Sequence, residues 1–410
     1  MTATKFAFWT SAGLLVYTHV GYAGVLAGLA RARGHGRGRQ RGPGRGPSGE
    51  RPSGEGRSGE GRSGEATTAA PPAGPTTATL PPVSVIVAAY AEQEVIAARV
   101  ANLRALDYPP DKLEVIVSCD GSPDATAERA RSAGADVVLE LPRGGKIRAQ
   151  DAAVERAQGE IVAFSDANVQ WEADALRALV APFADLRVGY VCGDVSFVNE
   201  TGTNQEGLYW RYEMALRRLE SEVGSVTGGN GAIYATRRDS YLVVDPIMGH
   251  DLSFPFNMVK RGWRAVYAPA ARAREKMVPT IEGEFARKRR MMSHGWPIVV
   301  RGGMLSPRGY DPVYAFEIFS HRVLRYGSPF LHLAALAANL ALIGQGPVYV
   351  VALAVQLAIL LAAYLAARVH ARPLLVARYY VMTTASLAAG LWDWLARGTG
   401  PGWEPAEGTR

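Results

Sequence analysis

The sequence predicts an α/β domain, a mostly parallel sheet with helices on its flanks, held between apolar helices at the two ends of the chain. Three observations carry this expectation. Strand-like and helix-like pieces alternate between about residues 81 and 275; hydrophobic residues are 48% of the 410 but are gathered into blocks; and one stretch, 31–80, is too poor in them to make a core. A βα rhythm of this kind builds a parallel sheet whose helices cross back between successive strands.

The first block, FAFWTSAGLLVYTHVGYAGVLAGLA at 6–30, has no formal charge with His19 neutral and is long enough to cross a bilayer. Lys5 alone precedes it, whereas Arg31, Arg33, Arg37, Arg39, Arg41 and Arg45 follow it. A cleaved signal peptide carries its positive charge in front. The pattern therefore predicts a retained helix over 1–30 whose C-terminal end is cytoplasmic. Residues 31–80 are Gly, Pro, Ser, Thr, Arg and Glu, with the repeat SGEGRSGEGR at 53–62. Such a composition buries too little apolar area to offset ordering entropy, so it reads as a disordered basic tether. Its arginines suit anionic membrane lipids. Nucleic acid, the competing partner of any basic tract, is not expected, because no compact nucleic-acid module is evident. Cys119 and Cys192 are the only cysteines, which excludes a disulfide scaffold and a four-cysteine zinc site.

In the central block, VSVIVAAY (83–90), LEVIVSCD (113–120), ADVVLEL (135–141) and EIVAFSD (160–166) read as strands. EQEVIAARVANLRAL (92–106), DATAERARSAG (124–134) and KIRAQDAAVERAQ (146–158) read as the helices between them. Nucleotide binding is a reasonable expectation for such a sheet, although both the P-loop spacing and Gly-x-Gly-x-x-Gly are absent. Open α/β sheets bind ligands beyond the carboxyl ends of their strands. Asp120 and Asp166 end two of these strands, and Asp251 lies in GHDLSF. Asp120 can accept hydrogen bonds from a base or ribose, or cap the turn in DGSPD. Asp166 can hold a divalent cation beside a diphosphate, or cap a helix over 172–181. Beyond the central domain, 81–300, an interface segment at 301–327 leads to SPFLHLAALAANLALIG (328–344), VYVVALAVQLAILLAAYLAA (348–367) and a span near 374–395, with a tail at 397–410. Three membrane helices are expected over 328–396, with the Arg368 and Arg372 loop cytoplasmic.

VSVIVAAYAEQEVI, CDGSPDAT, GGKIRAQ, FSDAN, VTGGNGAIYATRR and HDLSF together resemble the family 2 membrane glycosyltransferases, the group containing cellulose, hyaluronan and poly-N-acetylglucosamine synthases. The resemblance covers about 83–300 and implies a GT-A-like fold. It further implies a multi-pass cell-membrane enzyme with a cytoplasmic catalytic domain, which transfers sugar from UDP-glucose or UDP-N-acetylglucosamine, with inversion, to a growing exopolysaccharide. Single-step transfer to a polyprenyl-phosphate or other lipid is the enzymatic alternative; a noncatalytic nucleotide sensor or scaffold is the alternative of another class. By the same resemblance Ala89, Tyr90, Glu92 and Asp120 bind the nucleotide, Lys146 meets the diphosphate and Asp251 is the general base. Asp166 holds Mg²⁺ or Mn²⁺, with Asn168 where the usual second carboxylate stands; an Asn oxygen can coordinate a hard ion, and a helix cap is the other reading. Gly228, Gly229, Asn230 and His250 fall on the acceptor side. Lys146 could instead face solvent, and His250 could be a surface histidine.

In RKRRMMSHGW (287–296) the nearest register to the family's Gln-x-x-Arg-Trp motif sets Arg287 at the glutamine, Arg290 at the arginine and Met291 at the tryptophan. Trp296 is the candidate replacement for the lost aromatic sugar platform. Glu213 and Glu220, with Arg217 and Arg218 nearby, read as solvated ion pairs. Four membrane helices are few for a polymer channel, so passage of a polysaccharide implies a second copy of the chain or another membrane protein.

Overall fold

The computed structural model describes residues 1–39, 80–198, 205–276, 278, 280–400 and 402. Its central sheet comprises β1 (Val83–Ala89), β2 (Leu113–Asp120), β3 (Val137–Leu141), β4 (Ile161–Ser165), β5 (Gln170–Trp171), β6 (Val188–Val198), β7 (Tyr234–Arg237) and β8 (Arg264–Lys276). Their order is β3-β2-β1-β4-β7-β6-β8-β5. The first four strands pair in parallel, as their βα rhythm predicts. β7 then lies antiparallel between β4 and β6, β8 runs parallel to β6, and β5 closes the edge antiparallel to β8. The complete sheet is thus mixed.

β1 and β4 are buried along their whole length, so both faces need apolar side chains and the text shows runs instead of alternation. Val83, Val85, Val87 and Ala89 face a core shared with the helices Ile96–Arg104 and Ala175–Val180. Ile86, Ile116, Val162 and Phe164 face the other core, under the helices Lys146–Arg156 and His250–Lys260.

Among the described residues four helices are long and apolar enough to cross a membrane: Thr2–Arg33, Ser328–Gln345, Pro347–Leu365 and Arg372–Arg397. Helix continues from Tyr22 to Arg39, past the predicted end at residue 30, while 40–79 of the expected tether lies outside the described residues. The last apolar helix crosses the helix Ile281–Val300 at close range. A Cβ at Gly390 would stand 2.6 Å from Met292 Cβ, and Arg289 donates to both Asp393 oxygens at 2.5 and 2.7 Å.

Glu213 and Glu220 are not solvated ion pairs, because the helix Gln205–Val223 packs between the first apolar helix and the segment after residue 311. Glu220 is fully buried, accepting from Tyr22 Oη at 2.9 Å and the Thr227 N–H at 3.0 Å, with His321 Nδ1 at 2.5 Å. Glu213 pairs with Arg325 and lies beside His321 Nε2. Burial alone would raise the Glu220 carboxyl, but His321, Arg322 and Thr227 outweigh it and hold the group at about 2. Glu220→Gln is expected to cost about 3–5 kcal/mol, the usual consequence of removing one member of a buried charge set. Because the folded value lies below the ordinary 4.5, the carboxylate's contribution is present above that pH and is lost as pH falls toward about 2. Thermal unfolding in detergent across pH checks both points; a variant melting with the parent at neutral pH would contradict them.

Candidate active site

The parallel register places the ends of β1 to β4 along one edge of the sheet, with Ala89 opposite Cys119 and Asp120 opposite Leu141. Asp120 is buried there and faces the loop before Lys146. Its Oδ1 accepts from the Gly144 and Gly145 amides at 2.6 and 3.0 Å, and its Oδ2 from Arg143 at 2.8 Å. Gly145 has φ 99° and Gly121 has φ 65°, backbone that glycine adopts without strain. The Arg143 guanidinium lies 3.3 Å over the Tyr90 ring, so Tyr90 and Asp120 grip the same arginine. In the neighbouring loop, Asp124 accepts from the Gln93 and Thr126 amides at 3.2 Å, and buried Glu92 donates its N–H to Thr126 Oγ1 at 2.9 Å.

Lys146 opens its helix behind Gly145 and makes an ion pair with Asp166 at the end of β4. It is therefore no solvent-facing first-turn lysine. Desolvation works against its ammonium, but the charges of Asp166 and Asp251 prevail and raise its pKa. The cap readings of Asp166 and Asn168 fail, because the next helix starts at Ala175 with Asp174 at its N-cap. Instead the Asn168 side chain hydrogen-bonds Glu275 on β8. Desolvation and the adjacent Asp166 push Glu275 up to about 7, against Arg287, Lys146 and the Asn168 hydrogen bond. Sequence reading missed Glu275, because the pairing of Gln170 with Arg274 that brings it to the site spans a hundred residues without a motif.

Asp251 lies in the first turn of His250–Lys260, and its carbonyl accepts from the Gly229 amide at 2.6 Å. A Cβ at Gly249 would stand 2.7 Å from Asp251 Oδ1, which explains the glycine before it. Gly231 faces the ion pair: a Cβ there would lie 3.5 Å from Lys146 Nζ and 3.6 Å from Asp166 Oδ2. Two residues assigned to the acceptor are turned inward instead. Asn230 donates to the Gly193 carbonyl at 2.8 Å and accepts from the Ile233 amide at 2.9 Å, fastening the glycine loop to β6. His250 is neither at the surface nor open to a ligand. It shares a 2.9 Å hydrogen bond with Tyr234 Oη and stacks 3.9 Å from the Phe254 ring; burial and Lys146 hold it well below its ordinary value, hence neutral.

The basic run is divided among several partners. Arg287 pairs with Glu284 at 2.7 Å and acts on Glu275, Lys288 donates to Tyr379 Oη at 2.6 Å, and Arg290 is exposed. Met291, in the motif's tryptophan position, is 47% exposed. Trp296 does not reach the site. It is buried against Tyr326 and donates Nε1–H to the Leu387 carbonyl at 2.9 Å, held by the last apolar helix. Among the described residues no group of three or more His, Cys, Asp or Glu side chains is arranged for a metal ion. The hard-oxygen set here is two carboxylates and an amide.

Residues 84–242 match the model of glycosyl transferase family 2. Beta-monoglucosyldiacylglycerol synthase of Trichormus variabilis is 27% identical over 262 residues, covering 57% of this chain and 54% of that protein. Poly-beta-1,6-N-acetyl-D-glucosamine synthase of Staphylococcus aureus is 24% identical over 231 residues, covering 53% and 56%. The chain thus spans about half the length of these curated relatives. The mannosyltransferase PcManGT of Pyrobaculum calidifontis, solved with GDP-Man and Mn²⁺, superposes with a TM-score of 0.63 at 26% identity, over 79% of this chain and 90% of that one. This likeness bears out the GT-A-like fold.

Asp120→Ala removes the acceptor of two loop amides and of a charged hydrogen bond from Arg143, a change worth about 1.5–3 kcal/mol. Calorimetric titration with UDP is expected to show affinity lowered roughly 10- to 100-fold. Unchanged affinity would remove Asp120 from the nucleotide side.

Proposed function

We propose that this chain, whose residues 84–242 match the glycosyl transferase family 2 model, belongs to that family and moves a sugar from a nucleotide-sugar to a hydroxyl at the membrane with inversion at the anomeric carbon. One observation carries the reading. Lys146 from a helix start and Asp166 from the end of β4 meet opposite the bare backbone of Gly231, with Asp251 in the field of the same lysine. A departing diphosphate needs a cation, and an attacking hydroxyl needs a base.

In this mechanism the acceptor oxygen attacks the anomeric carbon as Asp251 takes its proton. The bond to the diphosphate breaks, its electron pair leaves with the diphosphate, and Lys146 balances the new charge. Attack opposite the leaving group converts an α-linked donor to a β-linked product. The Gly229 amide fixes the Asp251 backbone, and His250, neutral and tied to Tyr234, anchors the helix turn that carries the base. Tyr90, Glu92 and Asp120 line the nucleotide end, and Arg287 adds positive charge beside Glu275.

The side chains also fit a divalent cation. Asp166, Asn168 and Glu275 offer hard oxygens, and Lys146 already sets one positive charge on Asp166. Asp166 and Asn168 would hold Mg²⁺ or Mn²⁺, which when bound neutralises charge developing on the diphosphate.

Of the two acceptors the sequence leaves open, a membrane lipid is favoured over a growing polysaccharide. Met291 and the withdrawn Trp296 leave no tryptophan platform for a sugar chain at this motif, while the helix bearing Arg287 is fastened to an apolar helix. The catalytic domain faces the cytoplasm, where nucleotide-sugars are made, in accord with the arginines after residue 30.

Asp251→Asn is expected to lower kcat by about 10²- to 10⁴-fold with UDP affinity unchanged. EDTA should stop transfer by the parent, and Mn²⁺ should restore it. Full initial-rate activity in the Asp251 variant would sink its role as base; UDP binding without transfer to any acceptor would favour a noncatalytic scaffold. In sealed inside-out vesicles, external radiolabelled UDP-glucose, UDP-N-acetylglucosamine and GDP-mannose are tried in turn. One of them is expected to yield a single lipid-extractable species. A ladder of high-mass product would return the acceptor to polysaccharide, and labelling only after permeabilisation would reverse the orientation.

A further inference from the structure

We propose that Glu275 is the second carboxylate of the divalent-cation site, replacing the acid absent at Asn168; the inference rests on the reading of Asp166 as the first. The alternation of β8 points to it. Ala271 and Ala273 are buried while Arg272, Arg274 and Lys276 are exposed, so Glu275 shares the inward face with the alanines. An acid in that row is costly unless something within answers its charge. What meets it is the site itself. Asn168 hydrogen-bonds its carboxylate, Asp166 stands close enough to repel it, and Lys146 and Arg287 attract it.

Strand pairing makes this juxtaposition rigid. Gln170 lies opposite Arg274 and Trp171 opposite Ala273, so the chain running back from β5 brings Asn168 beside Glu275. An amide that donates to a carboxylate through its nitrogen keeps its oxygen for another partner. Asp166, Asn168 and Glu275 together then offer the charge of a two-carboxylate motif, drawn from two distant parts of the chain. Lys146 and Arg287 supply positive charge beside the two carboxyls.

The test is Mn²⁺ binding by the purified full-length chain, read by electron paramagnetic resonance without donor and again with UDP. Glu275→Gln keeps the side-chain shape and is expected to weaken Mn²⁺ binding by roughly 10- to 100-fold. Asn168→Asp in the same chain returns the carboxylate to its usual position and should recover most of that loss; as a single substitution it should tighten binding. Parental Mn²⁺ affinity in Glu275→Gln, with binding lost in Asp166→Ala, would overturn the role of Glu275 and leave the first carboxylate standing. Parental affinity in Asp166→Ala would instead overturn the cation reading as a whole. A Glu275→Gln loss that Asn168→Asp does not recover, with Asn168→Asp alone leaving affinity unchanged, would also overturn the exchange.

Discussion

The parallel pairing of β1 with β2 and β4 is the constraint on which the rest depends. It aims three buried apolar strands the same way, so that the first polar residue after each run emerges on one edge. Each strand interior is closed to charge by its own burial. Polar chemistry is therefore forced to the ends, where loops tied by glycine amides and short hydrogen bonds can hold carboxylates that a sheet interior would reject. Asp120 and Asp166 are products of this geometry before they serve any chemistry. Lys146 joins them because its helix begins where the β3 connection returns over the same edge.

Legibility in the sequence followed the range of the interactions. The parallel half of the sheet, the apolar helices and the positions of Asp120, Lys146, Asp166 and Asp251 could be read because each is encoded within a few residues: an apolar run, a turn, a charge. Asn230 and His250 were expected to face an acceptor but turn inward, since adjacency in sequence says nothing about which way a side chain turns. Glu275 and the burial of Trp296 were invisible for a different reason. Each depends on a partner on another element, Asn168 in one case and Leu387 in the other. The antiparallel strands β5 and β7, of two and four residues, carry too little periodicity to announce themselves.

Glu213 and Glu220 teach the same lesson with opposite sign. Their local text reads as a solvated helix face, and only the arrival of Tyr22, His321, Arg322 and Arg325 from both sides converts that face into a buried polar core. The same core touches the glycine loop. Thr227 bridges Glu220 and Arg322, and the space beside Gly228 is taken by the Arg322 guanidinium, so a side chain at that glycine would collide with it. The loop that holds Asp251 therefore rests on contacts made by the first apolar helix as well as by the sheet.

The crossing of Arg372–Arg397 over Ile281–Val300 has a mechanical consequence. A helix pinned by a bidentate arginine and by a glycine with no space beside it cannot tilt by itself. Helices answer a change in bilayer thickness by changing their inclination. Here the crossing partner is bound to the last apolar helix, and Arg287, two residues before the pin, lies on that partner. The placement of the last apolar helix thereby also sets where the Arg287 charge stands beside Glu275, at the edge of the sheet.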